Sequence, residues 1–481
     1  MAGQWQRVTE GARQAAQALE DRVANMVAPS LRLGVTGLSR SGKTVFLAAL
    51  VHNLVHGGRL PLFKAHAQGR LSSAQLAPQP DDEVPRFPYE GHVRALADKR
   101  VWPASTHRIA QLRVTINYQS GRAFGRRLGP GQLHLDLVDY PGEWLLDLPL
   151  LQQSYEDWSA EALREAAQRP IEATVWRDAL AGVNPNGPET DEDAETLADA
   201  FTAYLTAVRA DPDRLASLPQ GRFLMPGDLK GSPALTFAPL PPAEDAVPGS
   251  LRAMMARRYE SYKTHVVRPF FRSHFARLDR QVVLVDVLSA LNGGPAALEE
   301  LRRALAQVLA CFRLGKVGVF GKLIDRRIDR IVFVATKADH MHHTDHDRLE
   351  AILKHLVAEA IETAAFSGVA VDVAAMAAVR ATREAEVSHN GEMVPAIVGV
   401  PMPGEVFGER EFDGTREVGL FPGDLPDDPA DVFNAPRDAY GVTTLRFRPG
   451  EIEHSADGVT LSLPHIRLDR VMEHLMGDRL A

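Results

Sequence analysis

Residues Gly37 to Thr44 read G-L-S-R-S-G-K-T, two glycines framing four residues and followed by lysine and threonine. An apolar run, Leu31 to Val35, precedes them, and apolar residues at helical spacing follow (Val45, Phe46, Leu47, Leu50, Val51, Leu54). A strand, a glycine turn and a helix start in that order make a phosphate-binding P-loop. Successive main-chain N–H groups turn toward one centre, and the helix adds its partial positive charge. Ser39, Arg40, Ser41, Gly42, Lys43, Thr44 and Val45 are the expected cradle. Lys43 would reach the β- and γ-phosphates and the Thr44 hydroxyl would hold Mg2+.

Two further signals follow in chain order. Asp139-Tyr140-Pro141-Gly142 ends the apolar run LHLDLVDY. An aspartate there can hold Mg2+ through water, and Gly142 lets a main-chain N–H approach a γ-phosphate closely. Thr336-Lys337-Ala338-Asp339 ends the run RIVFVA and fits the pattern that reads guanine. The Asp339 carboxylate can accept charge-assisted hydrogen bonds from the ring N–H and the exocyclic amine. Adenine would set a lone pair against it. The stem of Lys337 can lie along the base while its ammonium ties back to the P-loop. A main-chain N–H near Ala377, Ala378 or Val379 would meet the base oxygen. Thr106, just before a strand-like run, is the candidate to complete the Mg2+ shell, ahead of Thr115.

The elements that must position these residues are legible in outline. Residues 1–30 form an amphipathic helix whose charges balance, unlike a membrane-surface helix. Residues 31–143 hold the P-loop unit, a loop-rich proline-studded segment at 57–106, and a β-hairpin of 109–118 with 133–140. Residues 144–278 read as a helical insertion. Buried-strand patterns return at 281–288, 330–339 and 369–376, with helices at 295–312 and 346–365 between them, giving a second part of the nucleotide-binding domain at 279–387. Residues 388–481 form a β-containing extension with a closing helix. Alternating strands and helices predict an α/β fold with a mainly parallel sheet covered on both faces. From Asp139 to Thr336 the spacing is 336 − 139 = 197 residues, whereas two β–α units need roughly 60. The excess is the insertion, and it directly follows Gly142.

The three motifs in this order resemble the translation-factor-type GTPase superfamily. More closely, the sequence resembles the YcjX family of bacterial P-loop NTPases. The likeness is carried by GLSRSGKTVFLAAL, the W-P-x-x-T piece at Trp102 to Thr106, LVDYPGEWLLDLPLL, FFRSHFARLDRQVVLVDVLSALN, TKADH and AAVRAT. It implies a GTPase using GTP/GDP and Mg2+ in a stress-linked role. Many GTPases place glutamine after the D-x-x-G glycine, where this chain has Glu143. A carboxylate there can orient water or act as a base, but it adds negative charge beside a triphosphate, so slow turnover is expected. Arg40 either stabilises the transferring charge, together with Lys43 and Glu143 as the catalytic set, or faces solvent or pairs with an acid. A nucleotide-dependent scaffold without hydrolysis and an ATP-using phosphotransferase are the alternatives.

Composition narrows the setting. The net charge of −8 repels nucleic acid, so no nucleic-acid partner is expected. A single cysteine, Cys311, excludes an internal disulfide and fits a reducing, cytoplasmic location, with Cys311 itself as core filler. There is no apolar run long enough to span a bilayer, which leaves room only for peripheral membrane contact. An unidentified protein partner is expected on the helical insertion. His340, His342, His343 and His346 crowd together after Asp339; the plain expectation is a solvated loop, the sharper one a metal site. Asp286 ends the run VVLVD near the site but is not expected to be catalytic.

Overall fold

The computed structural model describes residues 29–481 except 38–40, 105–107, 123–129, 211–220, 230, 243–246, 313–327, 367, 390–391, 437–438, 443–444, 453 and 455–461. For residues 143, 210, 228, 276, 307–312, 389 and 392 it describes the backbone course alone. The amphipathic helix expected before residue 29 and the side chain of Cys311 therefore lie outside the described residues.

Seven strands form the central sheet: β1 (Ser30–Gly37), β2 (Leu71–Ala77), β3 (Ala110–Tyr118), β4 (Gly131–Asp139), β5 (Arg280–Val285), β6 (Arg330–Ala335) and β7 (Ala370–Ala375). Their order is β2-β3-β4-β1-β5-β6-β7. β1 is parallel to both β4 and β5, and β5, β6 and β7 continue parallel, while β2 and β3 run antiparallel at one edge. The parallel strands are near-continuous apolar runs because helices cover both faces: all six residues of β5 are buried. β1 lies where the direction of winding reverses, so a crevice opens outside the carboxyl ends of β1, β5 and β6.

Helix α1 (Lys43–Val55) follows β1. Between β4 and β5 the described residues are helical or looped. A 3-10 segment at Gly142–Gln152 leads into α2 (Tyr155–Ala167), α3 (Thr174–Gly182), α4 (Asp191–Ala210) and α5 (Leu251–Tyr262). This block has its own aromatic core, with Trp158 stacked on Tyr259 at 5.1 Å and Trp176 on Tyr204 at 5.3 Å. Beyond β5 come α6 (Val287–Gly293), α7 (Pro295–Phe312), α8 (His346–Leu356) and α9 (Ala358–Phe366). A smaller sheet joins β8 (Thr382–His389), β9 (Glu392–Gly399) and β12 (Val418–Leu420), with β10 (Val406–Phe407) and β11 (Arg410–Glu411) forming a minor hairpin.

Helix α10 (Leu468–Met476) returns to the main sheet and lies against β6 and β7. Leu468, Val471, Met472, Leu475 and Met476 recur at helical spacing and are all buried in the core that contains β1 and α1. Full burial of such side chains stabilises by about 1.5–3 kcal/mol each. Polar clamps fix the register. The Asn53 side-chain amide donates to the Leu463 carbonyl at 3.1 Å and its oxygen accepts from the Leu463 N–H at 3.0 Å. Asp469 accepts from the Leu62 N–H at 2.8 Å, and buried Arg280 pairs with Asp478 at 2.9 Å.

Several local expectations need correction. The 57–106 segment is not only loop: it holds edge strand β2 and short helices at Lys64–Ala67 and Tyr89–Ala97. β2 is half polar and draws its order from pairing with β3 rather than from its own pattern. The helix expected at 346–365 is broken at Val357. β6 stops at Ala335, because Lys337 turns left-handed at φ 60. In the stretch 443–450 the described residues form only an isolated bridge, Pro401 with Phe447, and most of VTLSL lies outside the described residues.

Candidate functional site

The P-loop glycines are forced by geometry. Gly42 has φ 86 and caps α1 in the left-handed region, which side chains disfavour. Lys43 follows at the helix start, 9% exposed, and its ammonium donates to the Gly37 carbonyl at 2.7 Å. This bond joins the helix start to the end of β1, and Lys43 lines the cavity described next. Thr44 is buried beside it, and the buried Ser41 hydroxyl has no hydrogen-bond partner among the described residues.

A cavity of about 390 Å³ runs from this cradle across the strand ends. Ser41, Gly42, Lys43, Thr44 and Val45 line one end; Lys337, Asp339, Ala378 and Val379 line the other. Asp339 is 5% exposed, and its carboxylate accepts from the Ala381 N–H at 2.7 Å. The Thr382 hydroxyl donates to the Asp339 main-chain carbonyl. Both ends of residue 339 are thus fixed by the start of β8. Ala377 is excluded as a base contact, because its N–H donates to the Ile466 carbonyl at 3.1 Å. Ala378 and Val379 stand outside that bridge.

Lys337 does not tie back to the described residues of the P-loop. Its ammonium pairs with Asp286, which caps α6 and also accepts from the Ser289 hydroxyl at 2.7 Å. Burial alone would push the Asp286 carboxyl up, but Lys337 and Ser289 outweigh it and hold it below the usual carboxylate range. Asp286 is a wall of the cavity and an anchor for Lys337.

Asp139 and Gly142 approach the cradle from the β4 side. Asp139 is 2% exposed and sits in register with Val35 of β1, two residues before the P-loop begins. Gly142 is wedged against the loop: a Cβ there would lie 1.7 Å from the Gly37 carbonyl oxygen and 3.0 Å from the Lys43 ammonium. Asp139 does not line the first cavity. It lines a second one, of about 940 Å³, with Trp144, Arg222, His265 and His274. There the Arg222 guanidinium lies 3.2 Å above the Trp144 ring. Asp147, in the same 3-10 segment as Gly142, accepts from the N–H groups of Gly221 at 2.7 Å and Arg222 at 3.2 Å and from the Tyr262 hydroxyl at 2.8 Å. The segment after β4 is therefore bolted to the helical block. Ser39, Arg40 and Thr106 lie outside the described residues, as does the Glu143 side chain.

The first cavity is shaped like a cleft with a cationic, amide-rich end and an acidic end. A model of the YcjX-like family, DUF463, matches residues 31–480. The chain belongs to the YcjX-like family. Its relatives include the "Ras-like GTPase YcjX" of Escherichia coli K12, 37% identical over 465 residues that cover 94% of this chain and 96% of that protein. The protein of the same name from Shewanella oneidensis is 32% identical over 495 residues, covering 97% of each.

In this YcjX-like chain, the wall contributed from afar escaped sequence reasoning. Trp102, Pro103, Arg446 and Phe447 line the cavity. The Trp102 indole N–H donates to the Phe447 carbonyl at 2.6 Å, and Phe447 meets the His340 ring edge-on at 5.3 Å. Trp102 stands in a family segment, but no local pattern ties it to residue 447. The four crowded histidines separate. His340 lines the cavity, and His346 is buried with its ring on the Ala338 carbonyl at 2.9 Å. Burial lowers the pKa of both. His342 and His343 instead face β8.

Proposed function

We propose that this chain is a guanine-nucleotide-binding P-loop GTPase that hydrolyses GTP to GDP with Mg2+ and acts as a molecular switch. The observation that carries this reading is that Lys43 and Asp339, nearly three hundred residues apart, line one cavity. The phosphates belong at the Ser41–Val45 end, where the unsatisfied Ser41 hydroxyl and the Lys43 ammonium suit an anion. Guanine belongs at the other end, where Asp339 accepts from the ring N–H and amine, Lys337 flanks the base, and Ala378 or Val379 offers an N–H to its oxygen. Thr44 and Asp139 are the residues that would hold Mg2+, with Thr106 completing its shell; the ion supplies charge neutralisation for the phosphates. Gly142 would meet the terminal phosphate, and Lys43, Arg40 and Glu143 would stabilise or position the reacting groups. Turnover by the isolated chain is expected to be slow, because Glu143 stands where a neutral amide would carry no repulsion.

The bond from Asp147 to the Gly221 turn supports a switch whose output is the helical block. A protein partner on that block, a stress-linked role and a cytoplasmic location complete the proposal; no helix among the described residues is long and apolar enough to cross a membrane. The test is competition of GTP, GDP, ATP and XTP on the purified chain, with and without Mg2+, reading affinity and released phosphate. Guanine-selective, Mg2+-dependent binding with slow release is expected. Equal affinity for ATP and GTP overturns the guanine assignment. Tight GTP binding with no release above that of Lys43→Ala favours a scaffold.

A further inference from the structure

Beyond the nucleotide cavity, the loop after Asp339 carries a second group of side chains with ligand chemistry. His342, His343 and Glu384 of β8 present one ligand atom each, and these atoms all lie within 4.8 Å of one another. The hydrogen bonds around His342 suit a ligating imidazole. The Thr344 hydroxyl donates to the Asp345 carboxylate at 3.3 Å. Its oxygen also lies 3.0 Å from His342 Nδ1, and with its one hydrogen on the carboxylate it accepts there. In that arrangement Nδ1 carries the ring proton and the lone pair is on Nε2. That nitrogen faces Glu384 Oε2 across 4.0 Å, and His343 Nδ1 lies 2.8 Å from the same oxygen. A lone pair and a carboxylate opposed at this distance favour a cation between them.

We propose that His342, His343 and Glu384 form a binding site for a divalent cation of the zinc class. Two imidazoles and one carboxylate suit such ions, whose bonds to nitrogen and oxygen are about 2.0–2.2 Å, so a 4.0 Å gap needs only slight closure. The bond from His342 Nδ1 to Thr344 is the outer support that fixes a ligating imidazole in its tautomer. His343, mostly exposed, is free to turn and give up its hydrogen bond to Glu384, releasing its Nδ1 proton on binding. A fourth position stays open to water.

The site has a mechanical consequence. Glu384 lies two residues beyond Thr382 and three beyond Ala381, the residues that hold the Asp339 carbonyl and carboxylate. A cation joining Glu384 to the 342–343 turn clamps the start of β8 onto the loop that carries Asp339. This coupling to nucleotide affinity rests on the guanine reading of Asp339; the cation site itself does not.

The experiment is titration of untagged full-length protein with Co2+, followed by visible absorption and calorimetry, then displacement by Zn2+. One equivalent with tetrahedral-type absorption is expected, absent in His342→Ala and weakened at least about tenfold in Glu384→Gln, by loss of one ligand. Circular dichroism and melting of both variants establish that they fold. Co2+ binding that is undiminished in both folded variants assigns the metal to other histidines and overturns the proposal, as does the absence of micromolar binding by the unaltered chain. Zn2+ should also shift GDP affinity in the unaltered chain and not in Glu384→Gln. Metal binding without that shift removes the coupling to Asp339 and leaves the site standing.

Discussion

Replacing Gly142 by alanine places a methyl group 1.7 Å from the Gly37 carbonyl oxygen, 2.8 Å from its carbon and 3.0 Å from the Lys43 ammonium. Moving that oxygen contact from 1.7 to 3.0 Å, the closest a real Cβ tolerates, demands a shift of about 1.3 Å. Lys43 could swing aside, but the Gly37 carbonyl belongs to a buried central strand and cannot. The 3-10 segment after β4 must therefore withdraw. Overpacking of this kind costs about 1–3 kcal/mol. Gly142→Ala should lower the melting temperature and, under the proposed function, weaken a non-hydrolysable GTP analogue by roughly 5- to 150-fold. GDP has no phosphate at Gly142, so its affinity should change far less. The assay is fluorescent-nucleotide titration of both ligands on the same preparation, with thermal unfolding in parallel. A variant that melts normally and binds both nucleotides as the unaltered chain does would refute the wedge of Gly142 on the P-loop.

Further outcomes follow from the same geometry. Lys43→Ala removes a cation that lines the cavity, and loss of charge-assisted bonds worth about 1.5–3 kcal/mol each should weaken nucleotide binding by tenfold or more, measured by calorimetry. Asp339→Asn keeps an oxygen to accept from the Ala381 N–H, so it should fold, yet lose at least about tenfold in GTP affinity and gain in XTP affinity. Retained preference for GTP over XTP in that variant would count against Asp339 as the base reader. His274, beside Arg222 in the second cavity, is pulled down to about 4 by burial. Its folded pKa lies below the ordinary 6.5, so the unfolded chain takes the proton first as pH falls. Its contribution is present above about 6.5 and lost toward pH 4, with an upper bound of about 3 kcal/mol. Denaturant titrations across that window should show the slope, and His274→Gln should flatten it.

What the sequence disclosed was local chemistry plus the strands that end in it. G-L-S-R-S-G-K-T, D-Y-P-G and T-K-A-D each follow an apolar run, and a parallel sheet brings the ends of such runs to one edge, so Lys43 and Asp339 could be paired before any coordinates. What stayed hidden depends on contacts between distant segments. The partner of Lys337 is Asp286, set by where α6 starts. Ala377 is taken by Ile466, and Phe447 reaches Trp102 from a distant segment bridged to Pro401. β2 escaped because an edge strand is ordered by its neighbour more than by its own pattern. The histidine group looked uniform as letters, yet it divides by direction: His340 lines the cavity, His346 is buried on the Ala338 carbonyl, and His342 and His343 face Glu384 of β8.

The return of α10 to the main sheet has a consequence for synthesis. The side chains that finish the core around β1 and α1 include Leu475 and Leu480, while the phosphate loop is complete at Thr44. More than four hundred residues separate them. At about 5–20 residues per second a ribosome needs roughly 20–90 s to cover that distance. Throughout that interval the nascent β1–α1 unit carries an uncovered apolar face, so its core closes only after α10 and Leu480 have emerged.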